Sequence, residues 1–229
     1  GALGSVANDR STERQVEILK MMGCNSIRVT HNPASDELID ACNKHGILVI
    51  DEAFDGWVAP KNSNSNDYSK WFNKKIEDGN EIMGAAENMT WAQFDLTAMI
   101  ERGQNDPAII MWSLGNEMWE GTGGYSDDYK TAQDNLVKWA KAADTTRPVT
   151  TGDNKLKSNE TGAITLGQEL QKAGGIHGMN YSQEWKNHAG KTHYDMIHEA
   201  YPEWCMYGSE TASAVNSRGI YKGMGSQTD

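Results

Sequence analysis

Six short apolar runs along this chain end abruptly in acids, amides or other polar side chains, and helix-patterned stretches separate them. The runs are "NSIRVTH", "ILVIDEA", "IIMWSLGNE", "RPVTTGD", "GIHGMNY" and "WCMYGSE". "SDELIDACNKHG", "TWAQFDLTAMIERGQ", "YKTAQDNLVKWAKAAD" and "YDMIHEAYP" lie between them, and "STERQVEILKMMG" precedes the first. Continuous apolar strands cannot leave either sheet face in water, so this alternation demands a parallel sheet covered by helices. The helices carry their own punctuation. Ser35 caps one and Gly46 stops it; Asp9 or Ser11 is expected to cap the first, and Gly23 to end it.

A doubly wound sheet and a (β/α)8 barrel both satisfy that pattern. Neither "GALG" nor "GTGG" opens a helix with the spacing of a phosphate-binding turn. The polar residues decide: Arg28–His31, Asp51–Glu52, Asn116–Glu117, Asn180–Tyr181 and Glu210 all fall at the C-terminal ends of runs. In a barrel those ends share one rim, where the chemistry of such folds resides. The expected fold is therefore α/β, a (β/α)8 TIM barrel. Six strands are visible, read as strands two to seven, and the chain opens on a helix. Residues 1–229 are thus expected to be an incomplete barrel within a longer multidomain protein, because open barrel edges leave strand backbone unpaired. β-Sandwich domains are expected before it and an eighth strand after it.

Charge and cysteine usage narrow the partners. The net charge is −11, from 21 basic and 32 acidic residues, and such a surface repels phosphate backbones, so no nucleic-acid partner is expected. No stretch approaches the ~20 apolar residues of a membrane span, so no membrane partner is expected either. Cys24, Cys42 and Cys205 stand far apart without a CxxC or Cys/His cluster and read as free buried thiols. His188, His193 and His198 are spaced by fives and share no helical face, which argues against a metal site. Asn-x-Ser/Thr triplets at Asn88, Asn159 and Asn180 arise readily by chance and carry no weight.

Glu117 and Glu210 end two different strands and would face one cavity. Two carboxylates across a small cavity are what glycosidic cleavage needs: one protonated to serve the leaving oxygen, one ionised to attack or stabilise the anomeric carbon. Position alone leaves a structural ion pair with Arg28 equally open. Trp112 alternates away from Glu117 and should face the helices. Trp57 and Trp119 lie past strand ends, where an indole could either stack on a sugar or cover core. The "NSNSN" stretch at residues 62–66 reads as solvated loop.

The segments "SLGNE", "GSETAS", "NSIRVTHNP" and "ILVIDEAFD" resemble the catalytic barrel of glycoside hydrolase family 2, most closely its bacterial β-galactosidase-like members, over nearly the whole chain. The resemblance implies a retaining exo-β-glycosidase acting on terminal β-D-galactosides, with a β-glucuronidase, a β-mannosidase or a catalytically silent sugar-binding barrel as alternatives. It implies Glu117 as general acid/base and Glu210 as nucleophile. Asn116 would bond the sugar 2-hydroxyl, Tyr181 and Arg28 would support Glu210, His31 would contact the sugar, and Glu52 matches the acid of the "DEA" segment. Family members with magnesium beside the acid/base use an acid and a histidine after that segment. Here it reads "DEAFDGW", without histidine, so neither a metal nor a cofactor is expected. The implied partner is a β-linked oligosaccharide or glycoside, and any homo-oligomer would form through domains outside this chain.

Overall fold

Six parallel strands form one sheet in strict sequence order, a half-barrel of the TIM type. The computed structural model describes residues 6–77, 84–119, 121–122, 124–156 and 161–211. The strands are β1 (Ser26–Arg28), β2 (Leu48–Glu52), β3 (Ile109–Asn116), β4 (Val149–Asp153), β5 (Ile176–Asn180) and β6 (Met206–Glu210). The helices are α1 (Asp9–Met21), α2 (Asp36–His45), α3 (Ser69–Phe72), α4 (Trp91–Gly103), α5 (Asp127–Ala143), α6 (Thr161–Lys172) and α7 (His193–Ala200). The expectations that fall on the N-terminal "GALG", on Asn159 and on the absence of an eighth strand in the C-terminal tail lie outside the described residues.

Local chemistry sets the helix ends. Ser35 caps α2 by accepting the Leu38 N–H, and Gly46 ends it in the left-handed conformation that only a residue without Cβ adopts freely. α1 begins at Asp9, earlier than either expected cap allows. Asn8, not Asp9 or Ser11, is its cap, and its side chain accepts the Ser11 N–H at 3.3 Å. A capping box closes the start of α7, with Thr192 and Asp195 exchanging side-chain and backbone bonds.

α6 was not legible in the sequence because Gly162 and Gly167 interrupt its helical pattern. Packing explains both. A Cβ at Gly167 would lie 2.7 Å from the Trp204 ring, and one at Gly162 would lie 2.4 Å from Tyr125. The glycines let a helix approach two aromatics, and tertiary contact overrides propensity.

The apolar core lies between sheet and helices. Trp112 is fully buried on the helix side of β3, and its indole N–H donates to Asp144 at 3.0 Å. Gly103 of α4 stands close enough that a Cβ there would meet the Trp112 ring at 3.0 Å. Of the three thiols, Cys42 is buried, Cys24 half-buried and Cys205, beside the start of β6, exposed, so the expectation of three buried thiols holds fully only at Cys42.

Strand register keeps the polar ends level. Arg28 lies opposite Ile50, Glu52 opposite Ser113, Asn116 opposite Gly152, and Asn180 opposite Glu210. Irregularities in the β3–β4 and β5–β6 ladders fall near the functional ends, at Ser113–Asn116 and at Met179–Asn180. One rim therefore collects side chains that are distant in sequence.

Candidate active site

Two non-glycine residues at this rim have left-handed backbone, at a cost of roughly 1–2 kcal/mol each. Glu117 (φ 42°) follows β3, and Tyr181 (φ 55°) follows β5. Each first completes the sheet: the Glu117 N–H donates to the Gly152 carbonyl and the Tyr181 N–H to the Glu210 carbonyl, both at 2.7 Å. The chain then turns away sharply. Such strain concentrates where function over-determines geometry.

A continuous hydrogen-bond chain joins the two acids. Glu117 is buried and accepts from the Asn180 amide at 2.9 Å. The same amide donates to Asn116 Oδ1 at 2.9 Å, which also accepts from Arg28 at 3.0 Å. Arg28 donates to Glu210 Oε1 at 2.7 Å, and the Tyr181 hydroxyl donates to Glu210 Oε2. Two amides and a guanidinium thus link the two carboxylates.

Beneath this chain lies Glu52, fully buried. Oε2 takes Arg28 through Nε (2.9 Å) and a terminal nitrogen (2.5 Å), and the Ser113 hydroxyl at 2.6 Å. Oε1 pairs with His31 Nδ1 at 2.7 Å. Both oxygens are therefore committed to protein. His31 is partly open, and its other nitrogen lies 3.4 Å from the Asn116 amide and 3.8 Å from Glu210.

Burial alone would raise the Glu210 pKa. The Tyr181 and Arg28 hydrogen bonds, with the Arg28 and His31 charges, outweigh it and hold the acid below the usual carboxylate range. Burial likewise works against the Arg28 charge, but Glu52 and Glu210 more than compensate and its pKa is raised. The Tyr181 pKa is pushed up, first by its bond to Glu210, then by burial and by the charges of both Glu210 and Glu117. Tyr181 accordingly keeps its proton and donates it to an ionised acid.

The family model described as "Glycosyl hydrolases family 2, TIM barrel domain" matches residues 2–222. The chain belongs to glycoside hydrolase family 2. The Bacteroides ovatus protein named "Beta-galactosidase BoGH2A" is 30% identical over 97% of this chain and 26% of its own length. The Mus musculus β-glucuronidase is 30% identical over 66% of this chain and 19% of its own. Among solved structures, a family 2 member from Bacteroides cellulosilyticus superposes with a TM-score of 0.71 at 32% identity, covering 92% of this chain and 23% of that one. The chain spans about a quarter of the length of BoGH2A and of the superposed structure, and about a fifth of the mouse protein.

In this family 2 chain all seven residues singled out from the sequence stand in one network: Arg28, His31, Glu52, Asn116, Glu117, Tyr181 and Glu210. The Arg28 and Glu52 side chains are both buried and hold other side chains, Arg28 holding Glu210 and Glu52 holding Arg28 and His31. Trp57 is fully buried, its indole N–H bonded to the Leu114 carbonyl at 2.9 Å, and Trp119 is buried against Tyr125 and Tyr129. Both are core, which corrects the sugar-stacking option.

Four polar participants were given no role by the sequence reading. Asn180 carried a signal, since it ends a strand beside Tyr181. Ser113 lies mid-strand among apolar residues and carried none. Asp55 and Lys61 sit in the loop after β2, paired at 2.6 Å, with Lys61 also 3.3 Å from the Asn116 carbonyl. Residues 62–66 are exposed as expected, but neighbouring Lys61 is not, because its ammonium is drawn under the rim. Among the described residues one acid–histidine group, Glu13, Glu17 and His45, brings ligand atoms within 4.8 Å of one another. It lies on the α1–α2 surface, where Arg10 and Lys44 already pair with its carboxylates.

Proposed function

We propose that this chain supplies the catalytic barrel of a longer retaining exo-β-glycosidase that hydrolyses terminal β-D-galactosides. The observation carrying the reading is the paired environment of the two acids. Glu210, held ionised by Arg28 and Tyr181, attacks C1 and forms a glycosyl-enzyme while Glu117 protonates the departing oxygen. Glu117 then takes a proton from water, which releases the sugar with its configuration retained. Asn116 and His31 hold the sugar. Arg28 and Glu52 fix the nucleophile and His31 from below.

Charge supports a neutral sugar over a uronide, although some relatives are named β-glucuronidase. A uronate carboxylate needs an uncommitted cation. In the hydrogen-bond network around Glu117 and Glu210, Arg28 is taken by Glu52, Glu210 and Asn116, Lys61 by Asp55, and His31 by Glu52. The galacto configuration rests on the resemblance and on BoGH2A.

The test uses the full-length protein and a 2-deoxy-2-fluoro-β-galactoside with a good leaving group. Covalent label is expected on Glu210, and Glu210→Ala is expected to abolish turnover of aryl β-galactosides. Undiminished turnover by that variant, or label elsewhere, removes the assignment. Faster turnover of the matching glucuronide moves the specificity to uronides.

A further inference from the structure

We propose that Asp55 is a hydroxyl acceptor for the bound sugar and that Lys61 is the residue that positions it. The inference rests on the glycosidase reading and adds a specificity residue to it. Asp55 Oδ1 is committed to protein, taking the Lys61 ammonium at 2.6 Å and the Asn116 amide at 3.3 Å. Among the described residues no hydrogen bond reaches Oδ2, and the Asp55 side chain is 49% exposed while that of Lys61 is 11% exposed. One carboxylate oxygen therefore anchors the group against a residue of the catalytic network and the other faces outward. An ionised carboxylate only accepts, and the plentiful donors a sugar offers are its hydroxyls.

The loop is fixed before any ligand arrives. Two residues beyond Asp55, buried Trp57 bonds the Leu114 carbonyl and packs so tightly that a Cβ at Gly115 would lie 2.4 Å from its nitrogen. The Lys61 N–H donates to Asp67 at 2.6 Å, and its ammonium also reaches the Asn116 carbonyl at 3.3 Å. Gly121 packs closely against one side of Asn62, where a Cβ would lie 2.4 Å from Asn62 Oδ1, so the loops after β2 and β3 touch beside Lys61. A polar group held this firmly at the edge of a site serves recognition, because little freedom is lost when a ligand binds it.

The experiment measures kcat/KM of the full-length protein and its Asp55→Ala, Asp55→Asn and Lys61→Met variants. The substrates are an aryl β-galactoside and its 2-, 3-, 4- and 6-deoxy counterparts. Wild-type turnover of the parent compound tests the underlying glycosidase reading; the ratio of variant to wild type across the series tests this inference. Both Asp55 variants are expected to lose on the order of 10- to 100-fold on the parent, the worth of a charge-assisted hydrogen bond. For one compound among the 3-, 4- and 6-deoxy sugars the loss should nearly vanish, since the hydroxyl Asp55 holds is already gone. Lys61→Met should show the same dependence on that one hydroxyl. A loss equal on every compound, or cancelled only by the 2-deoxy sugar, overturns the proposal, because Asp55 then acts through Asn116 alone. Thermal midpoints and the near-isosteric Asp55→Asn separate these outcomes from misfolding.

Discussion

Gly152 carries more of the site than its size suggests. It lies in β4 opposite Asn116, and its carbonyl takes the Glu117 N–H at 2.7 Å. A Cβ placed on it would stand 2.5 Å from a terminal nitrogen of Arg28, 3.0 Å from the guanidinium carbon and 3.1 Å from Asn116 Oδ1. Its backbone is not in the left-handed region, so Gly152→Ala adds steric conflict and no backbone strain. The guanidinium is the movable party, but Glu52, Glu210 and Asn116 hold it. Overpacking of this kind costs about 1–3 kcal/mol, or roughly 2–4 °C of Tm per kcal/mol in a domain of 150–250 residues. If Arg28 yields by leaving Glu210, one charge-assisted bond worth about 1.5–3 kcal/mol is lost, and kcat/KM should fall by about one to two orders of magnitude. Aryl galactoside kinetics and thermal unfolding measure both quantities. The discriminating control is Arg28→Lys, which removes the atoms in conflict. In that background Gly152→Ala should add little, because contacting residues couple. Full activity and an unchanged Tm in the single variant would refute the reasoning, as would equal losses in both backgrounds.

Further outcomes follow from the same geometry. Tyr181→Phe removes a hydrogen bond that favours ionised Glu210, so the Glu210 pKa should rise and the acidic limb of kcat/KM against pH should move to higher pH. An acidic limb that stays in place counts against the Tyr181–Glu210 bond. His177 is buried beneath Trp204, and burial lowers its pKa to about 4 from an ordinary 6.5. The unfolded chain therefore binds a proton between those values that the folded chain does not. Stability is retained above about pH 6.5 and falls toward pH 4, by up to ~1.4 kcal/mol per unit. His177→Gln should flatten that slope in unfolding curves taken across this window, and an unaltered slope would assign it to other groups. The Glu210→Ala and Asp55 experiments complete the set.

What the chain's order of residues determined by itself was the architecture and the membership of the rim. Continuous apolar strands alternating with amphipathic helices admit few sheets, and polar residues ending those strands had to gather at one edge. Asn116, Glu117, Tyr181 and Glu210 were legible for that reason, and Ser35 and Gly46 because caps act within a few residues. Tertiary structure decided everything that depends on distance across the sheet. α6 exists despite two glycines because Trp204 and Tyr125 need close approach. Trp57 turned inward onto β3 at Leu114 and Gly115, and Trp119 onto Tyr125 and Tyr129. Ser113 and Lys61 acquired partners, Glu52 and Asp55, that no local pattern reveals. Local sequence can specify dihedrals and burial faces. Which carboxylate shares a guanidinium with which amide depends on strand register and loop packing, and those are settled only when the whole sheet has formed.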